Sequence, residues 1–287
     1  MIDLPRLFAL VPHGPDTFVG EGAPYEWGLY GGHIVAQALR AAAATVEPGL
    51  AVHSSRAYFI RRGDASEPVR YEVDRIRNGR SFSTRRVVAR QAVGAILNLE
   101  ASFQANADGQ ELDPIRTPDS ALPSPEELPS DAWSAAFERR WVPRVAVDAA
   151  PPRDGVGRVI AWMKASGELG DDALLHQCAL AYMSDDLPCD TVIQANPDFA
   201  SREREGDRDL FVASLDHTIW FHAPFRADEW HLHDFSCHRY VGSRGLALGH
   251  IFDAAGRHVA TVAQEALVRD RRAASSTPAT GAAGGLS

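Results

Sequence analysis

The sequence predicts an α+β fold made of two antiparallel sheets, each wrapped around a long central helix. Three observations support this prediction. One pattern occurs twice along the chain, at an offset of 162 positions, which indicates an internal repeat. Each copy contains a segment of strong helix formers, and each also contains short runs rich in β-branched and aromatic residues, which are typical of strands.

The two copies differ in their polar residues. The offset aligns two aromatic pairs and two turns: Tyr58-Phe59 with Trp220-Phe221, and Gly94 with Gly256. Under the same offset the second copy carries Ser214 and Gln264 where the first has Val52 and Ser102. We infer an enzyme whose second half performs the chemistry and whose first half is retained for packing.

Composition excludes several classes of protein. The chain has 287 residues, of which 45% are hydrophobic, enough for two units of ordinary size. No apolar run approaches the roughly 18 residues that span a bilayer, and residues 1–10 lack a signal-peptide pattern. The net charge of −9 argues against a nucleic-acid partner. The three cysteines include no CxxC pair, so a disulfide scaffold or a zinc ribbon is not indicated. We expect a cytoplasmic protein without metal, cofactor or membrane partner.

The first unit, residues 1–111, contains one helix followed by strands. Residues 31–41 open with a glycine pair and continue in strong helix formers, which predicts a well-buried helix. Turn residues separate four runs of strand formers, at 53–60, 69–77, 82–91 and 95–104. Consecutive antiparallel strands and one apolar helix describe a sheet that encloses that helix.

The second unit, residues 139–270, follows a linker. Five prolines among polar residues make 112–138 unsuitable for a helix or a central strand. In the second unit we predict strands at 142–147 and 158–164, a helix at 172–183, and four further strands between 212 and 269. Asp171 and Asp172 place negative charge where the macrodipole of that helix favours it. Residues 271–287 lack periodicity and are predicted to be a disordered tail.

Asp185, Ser214 and Gln264 are candidates for one catalytic site. Asp185 lies just past the second helix, Ser214 enters a strand, and Gln264 lies in the last strand. In a sheet wrapped around a helix, the helix end and the inner faces of two strands can converge. The carboxylate would then act as general base on a water that the hydroxyl and the carboxamide orient. Taken alone, a strand Ser and a strand Gln are more often surface or ladder groups.

Four segments resemble the acyl-CoA thioesterase II (TesB-like) family. They are Gly31-Gly32-His33, RNGRSFSTRRV at 77–87, LDHTIWFHAPFR at 215–226, and Ala263-Gln264-Glu265. The resemblance implies a double hotdog fold and an acyl-CoA substrate that is hydrolysed to a free acid and CoA. It also places the family's catalytic Asp on Asp185, its hydroxyl residue on Ser214 and its Gln on Gln264.

The resemblance further implies direct hydrolysis by water, without an acyl-enzyme. Backbone N–H groups at a helix start suit an oxyanion, so we expect Gly31 and Gly32 to bind it. Four arginines could meet the CoA phosphates or lie on a solvated strand face: Arg61, Arg62, Arg80 and Arg85. Of these, Arg80 is the candidate for the substrate site.

Two segments differ from the family. Residues 186–190 replace a more apolar stretch, and 231–240 is unusually rich in His. Both differences bear on the acyl group that is accepted. Around Ser214, we expect Asp216 to accept nearby backbone N–H groups, and His217 and His222 to serve packing and local hydrogen bonding.

Other hypotheses remain open. A non-catalytic protein that binds acyl-CoA or acyl carrier could keep the same pocket, and an enoyl-CoA hydratase would need an Asp and His pair. Gly242-Ser243-Arg244-Gly245 lacks the spacing of a nucleophile elbow, so an α/β-hydrolase is not supported. His231 and His233 could bind a metal, although such spacing is common on strands without one. Sheet edges that can pair predict a homodimer or homotetramer.

Overall fold

Helices and strands are defined here from a computed structural model that describes residues 3–23, 25, 28–105, 109–118, 122–131, 133–205 and 209–271. The helices are α1 (Leu4–Leu7), α2 (Gly31–Ala43), α3 (Arg144–Ala149), α4 (Ala173–Met183), α5 (Leu187–Gln194) and α6 (Pro197–Arg204). The strands are β1 (Leu10–Pro12), β2 (Thr17–Gly20), β3 (Leu50–Phe59), β4 (Val69–Asn78), β5 (Phe82–Gln91), β6 (Gly94–Ala105), β7 (Phe137–Trp141), β8 (Val156–Ala165), β9 (Leu210–Ser214), β10 (Asp216–Phe221), β11 (His231–Val241), β12 (Arg244–Phe252) and β13 (His258–Asp270). A turn of 3-10 helix covers Pro125–Glu127.

The described residues bear on two sequence predictions, the disordered tail and the absence of a membrane span. Of the predicted tail, 271–287, only Arg271 belongs to the described residues. None of the helices in the described ranges has both the length and the apolar character needed to cross a bilayer.

The strands form one continuous antiparallel sheet where two were predicted. Its order is β1-β2-β4-β5-β6-β3-β10-β13-β12-β11-β8-β7, with β9 also paired to β13. The halves join through β3 and β10, in which Tyr58 lies opposite Asp216 and Ser54 lies opposite Trp220. Each half thereby covers a strand of the other that would otherwise expose a row of unpaired backbone groups.

The internal repeat is present in the strands, with one correction to its register. The offset of 162 positions carries β4 onto β11 and β5 onto β12. Thr84 lies opposite Ser102, whereas Leu246, its counterpart, lies opposite Glu265. Ser102 therefore corresponds to Glu265, not to Gln264, because the turn before β13 is longer than the turn before β6.

The first half has small or apolar residues in place of the candidate site residues. The corrected register pairs Gln264 with Ala101, and the original offset pairs Ser214 with Val52. Ala101 and Val52 are both buried. The second half also inserts α5 and α6 between its long helix and its next strand. Polar groups at these positions are thus confined to the second half.

The ends of two buried helices meet. α2 is buried on almost every side, as predicted. α4 begins after Asp172, which accepts hydrogen bonds from the Leu174 and Leu175 N–H groups at 3.0 and 3.4 Å, so the predicted stabilisation of its start is confirmed. Near the other end of α4, the Tyr182 carbonyl accepts a bond from the Tyr30 hydroxyl at 2.9 Å. The end of α4 therefore lies against the start of α2.

The segment between the halves contains more structure than the predicted linker. β7 begins within 112–138, and residues such as Pro125 and Leu128 are buried. The strand predicted at 142–147 is wrong, because this stretch enters α3 after Pro143, the N-cap residue. Proline cannot donate to a strand ladder but suits a helix start.

Candidate active site

Asp185 lies where the two buried helices meet. α4 ends at Met183, and Ser184 follows as its cap. Asp185 is only 5% exposed, and the Gly32 N–H at the start of α2 lowers the pKa of its carboxyl. A helix start offers unpaired N–H groups and positive partial charge, so it stabilises a carboxylate.

A β-bulge positions Ser214. Ser214 lies opposite Ala266 on β13, but Thr218, four residues later, lies opposite Ala263, only three residues away. The segment from Ser214 to Thr218 therefore contains one residue more than the part of β13 that it pairs with. On a regular strand, residues three apart point to opposite faces, whereas the bulge places Ser214 and His217 on the same face.

The three predicted residues form a connected set of hydrogen bonds. The Ser214 hydroxyl donates to Asp185 Oδ1 at 3.1 Å. Gln264 Nε2 donates to Ser214 Oγ at 2.9 Å. Gln264 is fully buried in β13. The structure thus brings together the carboxylate, hydroxyl and carboxamide that the sequence places on separate elements.

His217 joins this set, although the sequence assigned it to packing and local hydrogen bonding. Its Nδ1 lies 2.5 Å from Gln264 Oε1, and its Nε2 lies 3.0 Å from Ser184 Oγ. The Asp-His pair in the 215–226 motif is the only signal for it, because the bulge that turns it inward cannot be read from the sequence. The prediction for Asp216 is confirmed, since its carboxylate accepts the Glu265 N–H at 2.8 Å.

Burial sets the protonation behaviour of Asp185. Loss of water raises the pKa of its carboxyl, and this is the strongest influence. The neighbouring His217, Gln264, Ser214 and Gly32 act in the opposite direction and lower this pKa. A carboxylate with a raised pKa binds a proton more readily than an exposed one, which suits a general base.

The glycine pair at the start of α2 lies against this carboxylate. A Cβ atom at Gly31 would lie 2.5 Å from Asp185 Oδ2 and 2.9 Å from the Phe59 ring. A Cβ atom at Gly32 would lie 2.3 Å from the Tyr182 carbonyl oxygen. Only glycine permits such approaches. Because the Gly32 N–H favours the charged form of Asp185, Gly31 remains the candidate for an oxyanion.

The structure does not bring Arg80 to Asp185. Arg85 is buried and donates to Thr45 Oγ1, Thr45 O and Asn78 Oδ1 at 2.7, 2.8 and 2.7 Å. These bonds attach the β4–β5 turn, which contains Arg80, to the end of α2. Asp185 lies at the start of α2, about 20 Å away for a helix of 13 residues. The buried Arg85 is also inaccessible to a phosphate.

Asp185 and Ser214 open into a large cavity. Its volume is about 1250 Å³, and most of its wall is apolar. Arg61 and Arg62, two of the arginines considered for the CoA phosphates, line the same cavity. Its volume exceeds that of an ordinary pocket for a drug-sized ligand, so a large substrate with an apolar part fits it.

The segment that differs from the family forms an ion pair at the cavity wall. Asp186 accepts hydrogen bonds from Arg139 Nη1 and Trp133 Nε1, both at 2.6 Å. Arg139 also donates to Asp131 at 2.9 Å. Asp190 lies 4.0 Å from the same guanidinium, and burial raises its pKa well above the usual carboxyl range. Asp186 and Asp190, the acidic residues of the segment that differs from the family, therefore both lie beside Arg139.

The histidines of β11 and the cysteine beside Ser214 have pKa values that favour their neutral forms. Burial lowers the pKa of His231 to about 4 and that of His233 well below its usual value. In the described ranges, no three His, Cys, Asp or Glu side chains are placed to hold a metal ion. Cys189 Sγ lies 3.7 Å from Ser214 Oγ, and burial raises the pKa of its thiol, which disfavours the thiolate.

Solved structures place this architecture among hotdog proteins. A conserved protein of unknown function with a hot dog fold from Alicyclobacillus acidocaldarius aligns over 93% of this chain and 97% of its own, with a TM-score of 0.75 at 17% identity. Acyl-CoA thioesterase II TesB2 from Mycobacterium marinum aligns over 93% and 97% of the two chains, with a TM-score of 0.80 at 36% identity. The fold is therefore a hotdog fold.

Sequence comparisons define the family. Residues 22–104 match the acyl-CoA thioesterase N-terminal domain, and 114–268 match the acyl-CoA thioesterase C-terminal domain. Mouse acyl-coenzyme A thioesterase 8 is 35% identical over 286 residues, covering 91% of this chain and 87% of the mouse protein. Acyl-CoA thioesterase 2 of Haemophilus influenzae is 34% identical over 259 residues, covering 84% and 87%. This chain belongs to the acyl-CoA thioesterase II (TesB-like) family, as its motifs predicted.

Proposed function

We propose that this chain hydrolyses acyl-CoA by direct attack of a water molecule that Asp185, Ser214 and Gln264 orient. The observation that supports this proposal is the hydrogen-bonded set of these residues at a buried helix start, open to a cavity of about 1250 Å³. We further propose a double hotdog, with 1–111 as the non-catalytic copy and 139–270 as the catalytic copy.

Asp185 is the general base in this mechanism. Ser214 donates to Oδ1, so we assign the water to Oδ2, the oxygen beside Gly31. The water oxygen attacks the thioester carbonyl carbon as Asp185 accepts its proton. Collapse of the tetrahedral intermediate breaks the C–S bond, and the CoA thiolate leaves with the proton that Asp185 accepted, which restores the carboxylate. The acyl group is released as a free acid without a covalent enzyme intermediate.

Binding groups for the rest of the substrate come from the cavity wall. The Gly31 N–H, at the first position of α2, is proposed to stabilise the oxyanion, since a helix start favours negative charge. Arg61 and Arg62 are proposed to meet the CoA phosphates. The mechanism uses no metal or cofactor. Cytoplasmic location and a homodimer or homotetramer remain predictions of the sequence.

A panel of acyl-CoAs from acetyl to palmitoyl tests the proposal. Release of free thiol from the purified protein should depend on Asp185, and the panel also gives the chain preference. Tight binding of acyl-CoA without thiol release would contradict hydrolysis and favour a non-catalytic binding protein.

Two substitutions of Ser214 should distinguish the role of its hydroxyl from the effect of side-chain size. Ser214→Ala removes the donor to Asp185 Oδ1 and the acceptor for Gln264, so we expect kcat to fall about 10- to 100-fold. Ser214→Thr keeps the hydroxyl and should stay within about fivefold of the wild type. Steady-state thiol release measures both. An alanine variant as active as the threonine variant would refute the role of the hydroxyl.

The rate should depend on the ionisation of Asp185. Only the carboxylate accepts a proton, so kcat/KM should rise with pH through the pKa of Asp185 and then level off. Since burial raises that pKa, the acid limb should lie above the ordinary carboxyl value of 3.8. Rates measured from about pH 4 to pH 9 give the limb. Ser214→Ala should move it to higher pH, because the Ser214 bond lowers this pKa.

A further inference from the structure

His217 occupies a position that the proposed reaction does not yet explain. It is 1% exposed, and both ring nitrogens have partners: Gln264 Oε1 at 2.5 Å and Ser184 Oγ at 3.0 Å. Gln264 in turn binds Ser214. His217 is therefore one hydrogen bond removed from the residues that hold the water.

The acceptor at one end of the set fixes the direction of each bond from Asp185 to His217 Nδ1. The Asp185 carboxylate can only accept, so the Ser214 hydroxyl gives its proton to Asp185 and must receive one from Gln264 Nε2. Gln264 Oε1 is then left to accept, and the nitrogen that faces it, His217 Nδ1, must carry a proton. His217 Nε2 lies 3.0 Å from Ser184 Oγ, whose hydroxyl also has the Ala181 carbonyl as an acceptor at 3.3 Å.

The resulting chain of donors runs from His217 through Gln264 and Ser214 to Asp185. At its other nitrogen, His217 contacts Ser184, the residue before Asp185. Because the terminal torsion of glutamine has two roughly equivalent orientations, Gln264 needs a donor at Oε1 to keep Nε2 directed at Ser214. A flipped amide would present an acceptor to Ser214 and compete with Asp185 for its proton.

We propose that His217 is a positioning residue for hydrolysis, whose Nδ1–H fixes the orientation of the Gln264 amide. The inference rests on the proposed function of Gln264. His217 does not touch the substrate, so its effect should appear in kcat and leave KM nearly unchanged.

Two substitutions distinguish orientation of Gln264 from simple packing. Asparagine carries an amide N–H as many bonds from Cα as His Nδ1, so His217→Asn can keep the donor to Gln264. Glutamine reaches only the position of Nε2, so His217→Gln cannot. We expect His217→Asn to keep kcat within about fivefold of the wild type and His217→Gln to lose about 10- to 100-fold. Equal losses in the two variants would overturn the proposal.

A double-mutant cycle with Gln264 provides the second test. His217→Leu should lower kcat about 10- to 100-fold in the wild type but cause no further loss in a Gln264→Ala background, because its effect passes through that amide. The same fold-loss in both backgrounds would overturn the role of His217. If His217→Leu does not fold, the asparagine and glutamine pair decides alone. Wild-type kcat in Gln264→Ala itself would instead refute the proposed function of Gln264.

Discussion

Replacement of Asp185 by asparagine should lower kcat for acyl-CoA hydrolysis by about 10³-fold or more, because it removes the proposed general base, the carboxylate to which Ser214 donates. Asparagine has nearly the same shape but cannot accept a proton from water at neutral pH. Thiol release under saturating acyl-CoA measures the loss, and the residual rate should lack the acid limb of the wild type.

The control for this variant must separate catalysis from folding. Asp74→Asn removes an exposed carboxylate that pairs with Arg86 on the sheet, and it should leave kcat within about twofold of the wild type. Circular dichroism and the midpoint of thermal unfolding should show Asp185→Asn folded. A kcat within tenfold of the wild type in the folded variant would show that Asp185 is not the base.

Replacement of Gly32 by alanine should destabilise the protein by roughly 2–4 kcal/mol. Alanine in a helix interior ordinarily stabilises by about 1 kcal/mol relative to glycine. Here the added Cβ would lie 2.3 Å from the Tyr182 carbonyl oxygen and 2.7 Å from the Tyr30 ring, and a backbone oxygen cannot move aside without shifting α4. The free energy of unfolding in urea measures the change.

Gly109 provides the matched control. A Cβ atom there would meet nothing within 4 Å, so Gly109→Ala should change the free energy of unfolding by less than about 0.5 kcal/mol. A Gly32→Ala variant as stable as the Gly109→Ala variant would mean that α2 and α4 do not approach each other this closely.

The catalytic candidates could be predicted because each has a local signal. Asp185 follows a helix, Ser214 directly precedes the 215–226 motif, and Gln264 lies within Ala263-Gln264-Glu265. His217 could not be assigned, because its direction depends on a bulge set by the pairing of two distant strands. The placement of Arg80 likewise depends on which end of α2 its turn meets, and this is a property of packing between elements.

Most helices and strands could be predicted from the sequence, but the pairing of strands between the two halves could not. Strands with turn residues at both ends, such as β5, were predicted within a residue or two. α3 was not, since its valines suggested a strand while Pro143 started a helix. The union of both halves into one sheet has no local signal, because either half could have left its outer strand exposed.

The meeting of α2 and α4 means that the two halves divide one task between them. The proposed base, Asp185, lies in the second half, but the helix start against which it lies, with Gly31 and Gly32, belongs to the first. In a symmetric pair of identical single units, every substitution would appear in both sites at once. Covalent fusion removes that constraint. The first half can carry Val52 and Ala101 at the site positions, while its helix α2 still contacts the site of the second half.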